Sequence, residues 1–250
     1  MILEIDYGNT RLKWRLVDLL TMEIVARGAT SDAQELVREV GRYIQVPIRY
    51  CRVCSVRKVF DNSVLSDLLL RSLKIMPVYA VSLPELAGVT NGYTDAAKLG
   101  VDRWLALVAA YSAAQSACLV FDCGTAITVD YVSAKGFHLG GCIAPGVQMM
   151  KTALNSSAQQ LAGFELDESA SGFVRGSNTR SAISCGVATM FKGFVQEHVA
   201  QAVKEWGSDF QVVCTGGDGR FVSSAAGNAL FDEDLVFKGL AIACPFVGGV

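Results

Sequence analysis

The chain has 250 residues, enough for one large domain or two small ones, and 51% of its residues are apolar while 18% are charged. This balance favours a buried core and argues against a disordered chain. With 22 basic and 24 acidic side chains, the net charge of −2 argues against a dedicated nucleic-acid binder, which is usually basic.

The termini and the cysteines indicate the compartment. The first residues enter a strand that carries acidic side chains, which is unlike a signal peptide, and no apolar run approaches the roughly 20 residues of a membrane span. The eight cysteines are scattered, several of them in apolar strand-like runs, so we expect buried free thiols in a cytoplasmic protein. Cys51 and Cys54 have a C-x-x-C spacing, but without a second such pair a zinc site is not favoured.

The first half of the chain begins with a hairpin and then alternates helices with strands. Apolar residues alternate with Arg11, Lys13 and Arg15 in the second strand, and Asp32 to Ile44 has apolar residues at helical spacing. The predicted elements are a strand up to Asp6, strands over 11–17, 23–29, 48–56 and 78–81, helices over 32–44 and 65–73, and a loop over 84–91.

The second half repeats this order after a helix that begins at Asp102 and ends near Ala114. Three strands come first, and a glycine-containing segment then leads into a helix. The predicted elements are strands over 118–122, 126–132, 136–143 and 210–215, helices over 147–161, 178–198 and 233–243, and a polar surface loop over 164–176.

Two hairpins carry the same polar pattern. An apolar strand ends in Asp6 and turns through Gly8, Asn9 and Thr10, and a second strand ends in Asp122 and turns through Gly124 and Thr125. Glycine lets a phosphate approach the backbone, turn N–H groups and a threonine hydroxyl can donate to it, and an aspartate can hold hydrated magnesium. One such turn could be an ordinary polar hairpin. Two in tandem favour a nucleotide site.

This arrangement resembles the actin, sugar kinase and Hsp70 superfamily, whose two similar domains close over ATP. The resemblance implies an α/β fold of two tandem ribonuclease H-like, actin-like ATPase domains, each with a mixed five-stranded sheet and flanking helices. We expect the domains to span 1–115 and 116–250.

Other segments admit both a structural and a functional interpretation. Asp102, in the run Gly100 to Arg103, could simply cap a helix, or it could accept the proton of a substrate hydroxyl while Arg103 holds an anionic group. Thr215-Gly216-Gly217-Asp218 follows a strand and could be a plain turn or pack against a nucleotide. Tyr93 and Thr179 are weaker candidates, because Asn178 or Thr179 could act as a helix N-cap.

Four segments together resemble the type III pantothenate kinases over nearly the whole chain. They are Asp6-Tyr7-Gly8-Asn9-Thr10, Gly100-Val101-Asp102-Arg103, Asp122-Cys123-Gly124-Thr125-Ala126 and Gly140-Gly141-Cys142-Ile143-Ala144-Pro145-Gly146. The resemblance implies ATP-dependent phosphorylation of pantothenate to 4′-phosphopantothenate, the first step of coenzyme A synthesis.

The same resemblance implies roles for individual residues. Asp102 would be the catalytic base, Asp122 would bind a monovalent cation, potassium or ammonium, and magnesium would accompany ATP. Asp6, at the end of its strand, can hold that magnesium through water. The ATP-binding residues would be Asp6, Tyr7, Gly8, Asn9, Thr10, Arg11, Leu12, Lys13 and Thr125. Pantothenate would contact Tyr93, Gly100, Val101, Asp102, Arg103 and Thr179.

The resemblance implies a homodimer whose interface helps to build the pantothenate pocket, and the helices over 102–114 and 179–198 are candidate interface elements. We expect neither nucleic acid nor a membrane as a partner. A transcriptional accessory protein of the same fold and a phosphatase of the same superfamily remain as alternatives.

Overall fold

The computed structural model describes residues 1–44, 46–157 and 175–246. The chain divides into two compact units, the first made of Met1–Ser112 together with Asp234–Val250 and the second of Ala113–Glu233. Each unit contains one five-stranded sheet with helices packed on it. The expected fold class is therefore confirmed.

The sheet of the first unit combines antiparallel and parallel strands. Its strands are β1 (Ile2–Tyr7), β2 (Leu12–Val17), β3 (Ile24–Thr30), β4 (Tyr50–Ser55) and β5 (Pro77–Tyr79), in the spatial order β3-β2-β1-β4-β5. β1 pairs antiparallel with β2 and parallel with β4. Because the carboxyl ends of parallel strands meet at one edge of a sheet, the segments that follow β1 and β4 are neighbours.

Helices α1 (Ala33–Gly41) and α2 (Val59–Leu73) cover the core of this unit. Leu36 and Val40 of α1 and Leu65 of α2 pack with the alternating apolar residues of β1 and β2. Asp32 caps α1, because its side chain accepts hydrogen bonds from the backbone N–H groups of Gln34 and Glu35. α2 begins six residues before its predicted start. The apolar spacing did not reveal its first turn, because Val59 and Phe60 are exposed and do not continue the apolar stripe.

The segment predicted as a loop over 84–91 contains a small hairpin, β6 (Glu85–Leu86) with β7 (Val89–Thr90). Ala87 and Gly88 both have positive φ, as the tight turn of such a hairpin requires. After a single 3-10 turn over Ala96–Lys98, helix α3 (Val101–Ala114) begins. Ten of the 14 residues of α3 are buried within this one chain, most of its apolar stripe among them.

The second unit repeats the sheet of the first. Its strands are β8 (Ala117–Cys123), β9 (Ala126–Val132), β10 (His138–Pro145), β11 (Phe210–Thr215) and β12 (Ala229–Phe231), in the order β10-β9-β8-β11-β12. Its helices are α4 (Val147–Ser157), α5 (Thr179–Trp206) and α6 (Gly219–Ala226). Strand β12 and helix α6 were not predicted, and most of the predicted loop over 164–176 lies outside the described residues.

The last helix, α7 (Leu235–Ala243), belongs to the first unit, although the sequence-based division placed it in the second. It packs against β1 and β4. Gly239 has the backbone of Leu105 in α3 so close that a β-carbon would clash with it. The order of elements along a chain does not determine which sheet a terminal helix covers, because that depends on which apolar surface is still open.

Buried charges fix α7 in this place. The fully buried Glu4 accepts hydrogen bonds from Arg15 and Arg52, and Arg52 Nη1 also donates to the carbonyl oxygen of Cys244 at 3.0 Å. Asp234, just before α7, forms ion pairs with Arg15 at 3.3 Å and Arg27 at 3.1 Å. A buried carboxylate needs such partners, since an isolated charge is costly to bury.

Within the described ranges, none of the helices combines the length and the hydropathy needed to cross a membrane. All eight cysteines carry free thiols, and Cys51, Cys54, Cys118, Cys123, Cys214 and Cys244 are buried, as the sequence predicted for most of them.

Candidate active site

The β1–β2 hairpin forms a tight polar turn. Asp6 lies opposite Lys13 across the two strands, and the Gly8 N–H donates to the carbonyl oxygen of Arg11 at 3.1 Å. A β-carbon on Gly8 would lie only 3.2 Å from that same oxygen. The turn therefore requires a small residue at this point, and it exposes Asn9, Thr10 and Arg11.

Asp6 is an unusual carboxylic acid. It is partly buried at the end of β1, and desolvation raises its pKa from 3.8 to about 6, with the nearby Asp102 carboxylate adding to the rise. Lys13 and a hydrogen bond from Cys54 oppose this change. Since Asp102 affects the pKa of Asp6, the predicted base and the predicted magnesium ligand are electrostatic neighbours within one unit.

Asp102 lies in the first turn of α3. Its Oδ1 accepts a hydrogen bond from the Arg103 N–H at 2.8 Å, and a β-carbon on Gly100 would lie 2.8 Å from the same oxygen. A carboxylate here is favoured by the partial positive charge of the helix N-terminus. Asp102 is the second residue of α3 rather than its N-cap, and the hydrogen bond within the first turn holds its carboxylate at a fixed place, which is compatible with a catalytic role.

Arg103 and Tyr93 are brought together beside it. Arg103 is buried and donates from Nη1 to the Tyr93 hydroxyl at 3.0 Å, and its guanidinium lies 5.8 Å from the centre of the tyrosine ring. Tyr93 is partly exposed at the edge of this pair. The two residues predicted to contact the same substrate therefore form one polar cluster with Asp102.

Asn91 holds the loop that carries Tyr93, and the sequence analysis missed it. Its side-chain oxygen accepts from the Tyr93 N–H at 3.0 Å, and its amide nitrogen donates to the carbonyl oxygens of Leu83 and Ala96 at 3.2 and 3.3 Å. An Asn-Gly pair between elements is a turn signal. That signal could have indicated this role, although it could not identify the bonding partners.

The second hairpin is built on close backbone contacts. The Gly124 N–H donates to the carbonyl oxygen of Ala126 at 3.0 Å, and the Gly146 N–H donates to that of Thr125 at 3.1 Å. A β-carbon on Gly146 would lie 2.5 Å from the Thr125 oxygen. The Pro145-Gly146 segment therefore packs directly under the turn and leaves the Thr125 side chain exposed.

Two oxygen atoms lie close to Gly216, next to this hairpin. Gly216 has φ +88°, and a β-carbon there would lie 2.8 Å from Asp122 Oδ1 and 2.5 Å from the carbonyl oxygen of Cys123. The Asp218 N–H donates to the same carbonyl at 3.0 Å. A partly exposed carboxylate beside main-chain oxygen suits a hard cation, so these residues fit the family-implied ion.

Thr179 lies at the start of α5 in the second unit. It is the first residue of α5 and is exposed, and the helix is capped by Asn178, which exchanges hydrogen bonds with Ser181. Of the two N-cap candidates, Asn178 is therefore the one that caps α5.

Among the described residues, no group of three or more His, Cys, Asp or Glu side chains is arranged to hold a metal ion. Magnesium in kinases is usually held by one or two carboxylates together with the nucleotide phosphates. Asp6 with its neighbour Asp102 fits that pattern, since two carboxylates close together favour a nearby cation.

Comparison with known proteins identifies the family of this chain. Residues 2–201 match the family model described as type III pantothenate kinase. The type III pantothenate kinases of Pseudomonas putida (strain W619) and Pseudomonas aeruginosa (strain PAO1) are 39% and 40% identical over 247 residues, which covers 98% of this chain and 99% of each relative.

Two solved structures share the fold at low sequence identity. A putative 2-dehydro-3-deoxygalactonokinase from Sinorhizobium meliloti has a TM-score of 0.59 at 12% identity, covering 100% of this chain and 99% of its own. A conserved putative Baf family transcriptional activator from Campylobacter jejuni has a TM-score of 0.59 at 20% identity, covering 95% and 94%. The first supports the sugar-kinase-like fold. On the family match and these relatives, the chain is a kinase that belongs to the type III pantothenate kinase family.

Proposed function

We propose that the protein transfers the γ-phosphoryl group of ATP to the primary hydroxyl of pantothenate, giving 4′-phosphopantothenate and ADP. The observation that carries this proposal is the polar cluster of the first unit. There, the Asp102 carboxylate is close enough to raise the pKa of Asp6, in the hairpin proposed to bind phosphate, and it adjoins the Arg103–Tyr93 pair.

Asp102 is the proposed catalytic base. Phosphoryl transfer needs little covalent help from the protein, so one carboxylate that accepts the hydroxyl proton as the phosphoryl bond forms is sufficient. The Arg103 N–H holds one oxygen of this carboxylate at 2.8 Å. That contact fixes its orientation toward a bound alcohol.

Arg103 and Tyr93 are the proposed binding groups for pantothenate, together with the backbone of Gly100 and Val101. Pantothenate is an anion, and a guanidinium pairs well with a carboxylate. The hydrogen bond between Arg103 and the Tyr93 hydroxyl fixes both side chains before substrate arrives, which reduces the entropy lost on binding.

ATP would be held by the turn from Asp6 to Lys13 and by Thr125 of the second hairpin. Turn N–H groups and the Lys13 ammonium would neutralise phosphate oxygens, and Asp6 would hold magnesium through water. Magnesium supplies charge neutralisation of the phosphates when it is bound.

Asp122 is the proposed ligand of a monovalent cation, potassium or ammonium. Support comes from the Asp122 carboxylate and the Cys123 carbonyl oxygen, which both lie close to Gly216. Any residue larger than glycine there would place its β-carbon against these two oxygens. Such an ion would offset the negative charge that a carboxylate presents to the phosphates.

We further propose a cytoplasmic homodimer. Free thiols at all eight cysteines suit a reducing compartment. Since α3 is buried, α5 is the remaining candidate helix for the interface, and its Met190 is 66% exposed. Thr179 at the start of α5 is proposed to contact pantothenate as part of a pocket that the dimer completes.

The test of the reaction is coupled measurement of ADP and phosphopantothenate. Purified protein with magnesium, potassium and ATP should release ADP only when pantothenate is added, with one phosphopantothenate for each ADP. ADP release at the same rate without pantothenate would overturn the proposal in favour of a phosphatase. No ADP release under either condition would favour the transcriptional accessory role.

A further inference from the structure

Arg57 contacts the first hairpin, although it lies outside every segment discussed so far. Arg57 follows β4, whose carboxyl end adjoins that of β1 because the two strands are parallel. Its Nη1 donates to the carbonyl oxygen of Asn9 at 3.0 Å, and its guanidinium lies 5.2 Å from the centre of the Tyr7 ring. One side chain thus holds the residues on both sides of Gly8.

Arg57 is itself held firmly. Its Nε donates to Oδ2 of Asp61, in the first turn of α2, at 3.2 Å, and its backbone N–H donates to the Ser55 hydroxyl at 3.2 Å. The hydroxyl of Ser55 is in turn 2.6 Å from the Asn62 side-chain oxygen. The Val56 N–H, just before Arg57, donates to the Tyr7 carbonyl oxygen at 3.3 Å, so the segment after β4 is bonded directly to the end of β1.

The contacts of Arg57 stabilise a turn that has little packing of its own. Glycine has no side chain, so Gly8 makes no packing contacts of its own, and the exposed Asn9 and Thr10 gain little from burial. A charged donor on a turn carbonyl is stronger than a neutral one, and a guanidinium on an aromatic face adds to it. Arg57 therefore restricts the backbone whose N–H groups would face the phosphates.

We propose that Arg57 is a positioning residue for ATP: it holds the turn at Tyr7 to Asn9 in the conformation that receives the phosphates. This inference rests on the proposed function of the hairpin in ATP binding. The positive charge of Arg57, next to the turn, also favours the approach of the anionic nucleotide.

The experiment compares Arg57→Ala, Arg57→Lys and the control Arg71→Ala with the wild type. Arg71 lies on α2, the helix that follows Arg57, and its ion pair with Asp67 at 4.0 Å is highly exposed. Three quantities are measured for each: KM for ATP, KM for pantothenate, and hydrogen exchange of the peptide over residues 7–12 without ligands.

Arg57→Ala should raise KM for ATP about tenfold, the change expected from the loss of one charge-assisted hydrogen bond, while KM for pantothenate stays within about twofold. Exchange over 7–12 should become faster. Arg57→Lys should recover part of both effects, because an ammonium keeps the charge but lacks the planar fork that bonds two partners. Arg71→Ala should behave as the wild type.

An unchanged KM for ATP in Arg57→Ala would overturn the inference, as would equal increases in both KM values. A lower melting temperature with unchanged KM values would show that Arg57 serves only stability, which also overturns it. Failure of the proposed function is distinguishable, since it would appear as absent phosphopantothenate in the wild type, whereas the hydrogen-exchange comparison needs no activity.

Discussion

Asp6→Asn should stabilise the folded protein while it removes activity. In the folded chain the pKa of Asp6 is raised from 3.8 to about 6, chiefly by desolvation, so the ionised carboxylate is disfavoured there relative to the unfolded chain. One pKa unit corresponds to about 1.4 kcal/mol, so ionised Asp6 lowers the free energy of unfolding by up to about 3 kcal/mol. An asparagine keeps the shape and an acceptor for Cys54 without that cost.

The direction of the pH dependence follows from the raised pKa. Below pH 3.8 Asp6 is protonated in both states and costs nothing. Between pH 3.8 and about 6 the unfolded chain releases the proton first, so the stability of the wild type falls relative to the variant, and above pH 6 the difference is constant. The advantage of Asp6→Asn should therefore be full at pH 8 and nearly absent at pH 4.

Scanning calorimetry from pH 4 to pH 8, without nucleotide or magnesium, measures this difference. For a chain of this size about 3 kcal/mol corresponds to a rise of roughly 6–12 °C in melting temperature. Asp18→Asn is the matched control, because backbone hydrogen bonds from Leu20 and Thr21 lower the pKa of Asp18 and its substitution should not stabilise. The reasoning would be refuted if Asp6→Asn were no more stable than the wild type at pH 8. It would also be refuted if the gain in stability were as large at pH 4 as at pH 8.

Four further outcomes are expected. Asp102→Asn should keep the fold and ATP binding, since the asparagine side-chain oxygen can still accept the Arg103 N–H, but lower turnover by about 100- to 10,000-fold; near-normal turnover would place the base elsewhere. Glu4→Gln should lower the free energy of unfolding by about 3–5 kcal/mol in urea titrations, because it leaves Arg15 and Arg52 without their buried carboxylate; a change below about 1 kcal/mol would contradict this. Activity should be low in sodium-only buffer and rise with potassium, and Asp122→Asn should remove that difference in rate assays; equal rates in both buffers would contradict the site. Light scattering should give twice the chain mass of 26.7 kDa, and the monomer mass would contradict the dimer.

Much of the site could be predicted because its signals are local. Asp6-Tyr7-Gly8-Asn9-Thr10 predicts a polar turn after a buried strand from a few adjacent residues, and the structure has that turn at the same place. The same holds for Asp102 at the start of α3. Alternation of apolar residues in β2 and helical spacing in α1 are likewise short-range patterns, so most elements were found close to their observed bounds.

The sequence by itself therefore determined most of the elements, the two polar turns and the family. Only the tertiary structure decided which distant residues meet: Asp102 beside Asp6, Arg57 on the Asn9 carbonyl, and α7 on the first sheet through Arg52 and Cys244, 192 positions apart. Turn and helix patterns reflect the energetics of neighbouring residues along the chain. Parallel pairing of β1 with β4, and the apolar surface left open for α7, depend on how whole elements pack, and no local pattern encodes that choice.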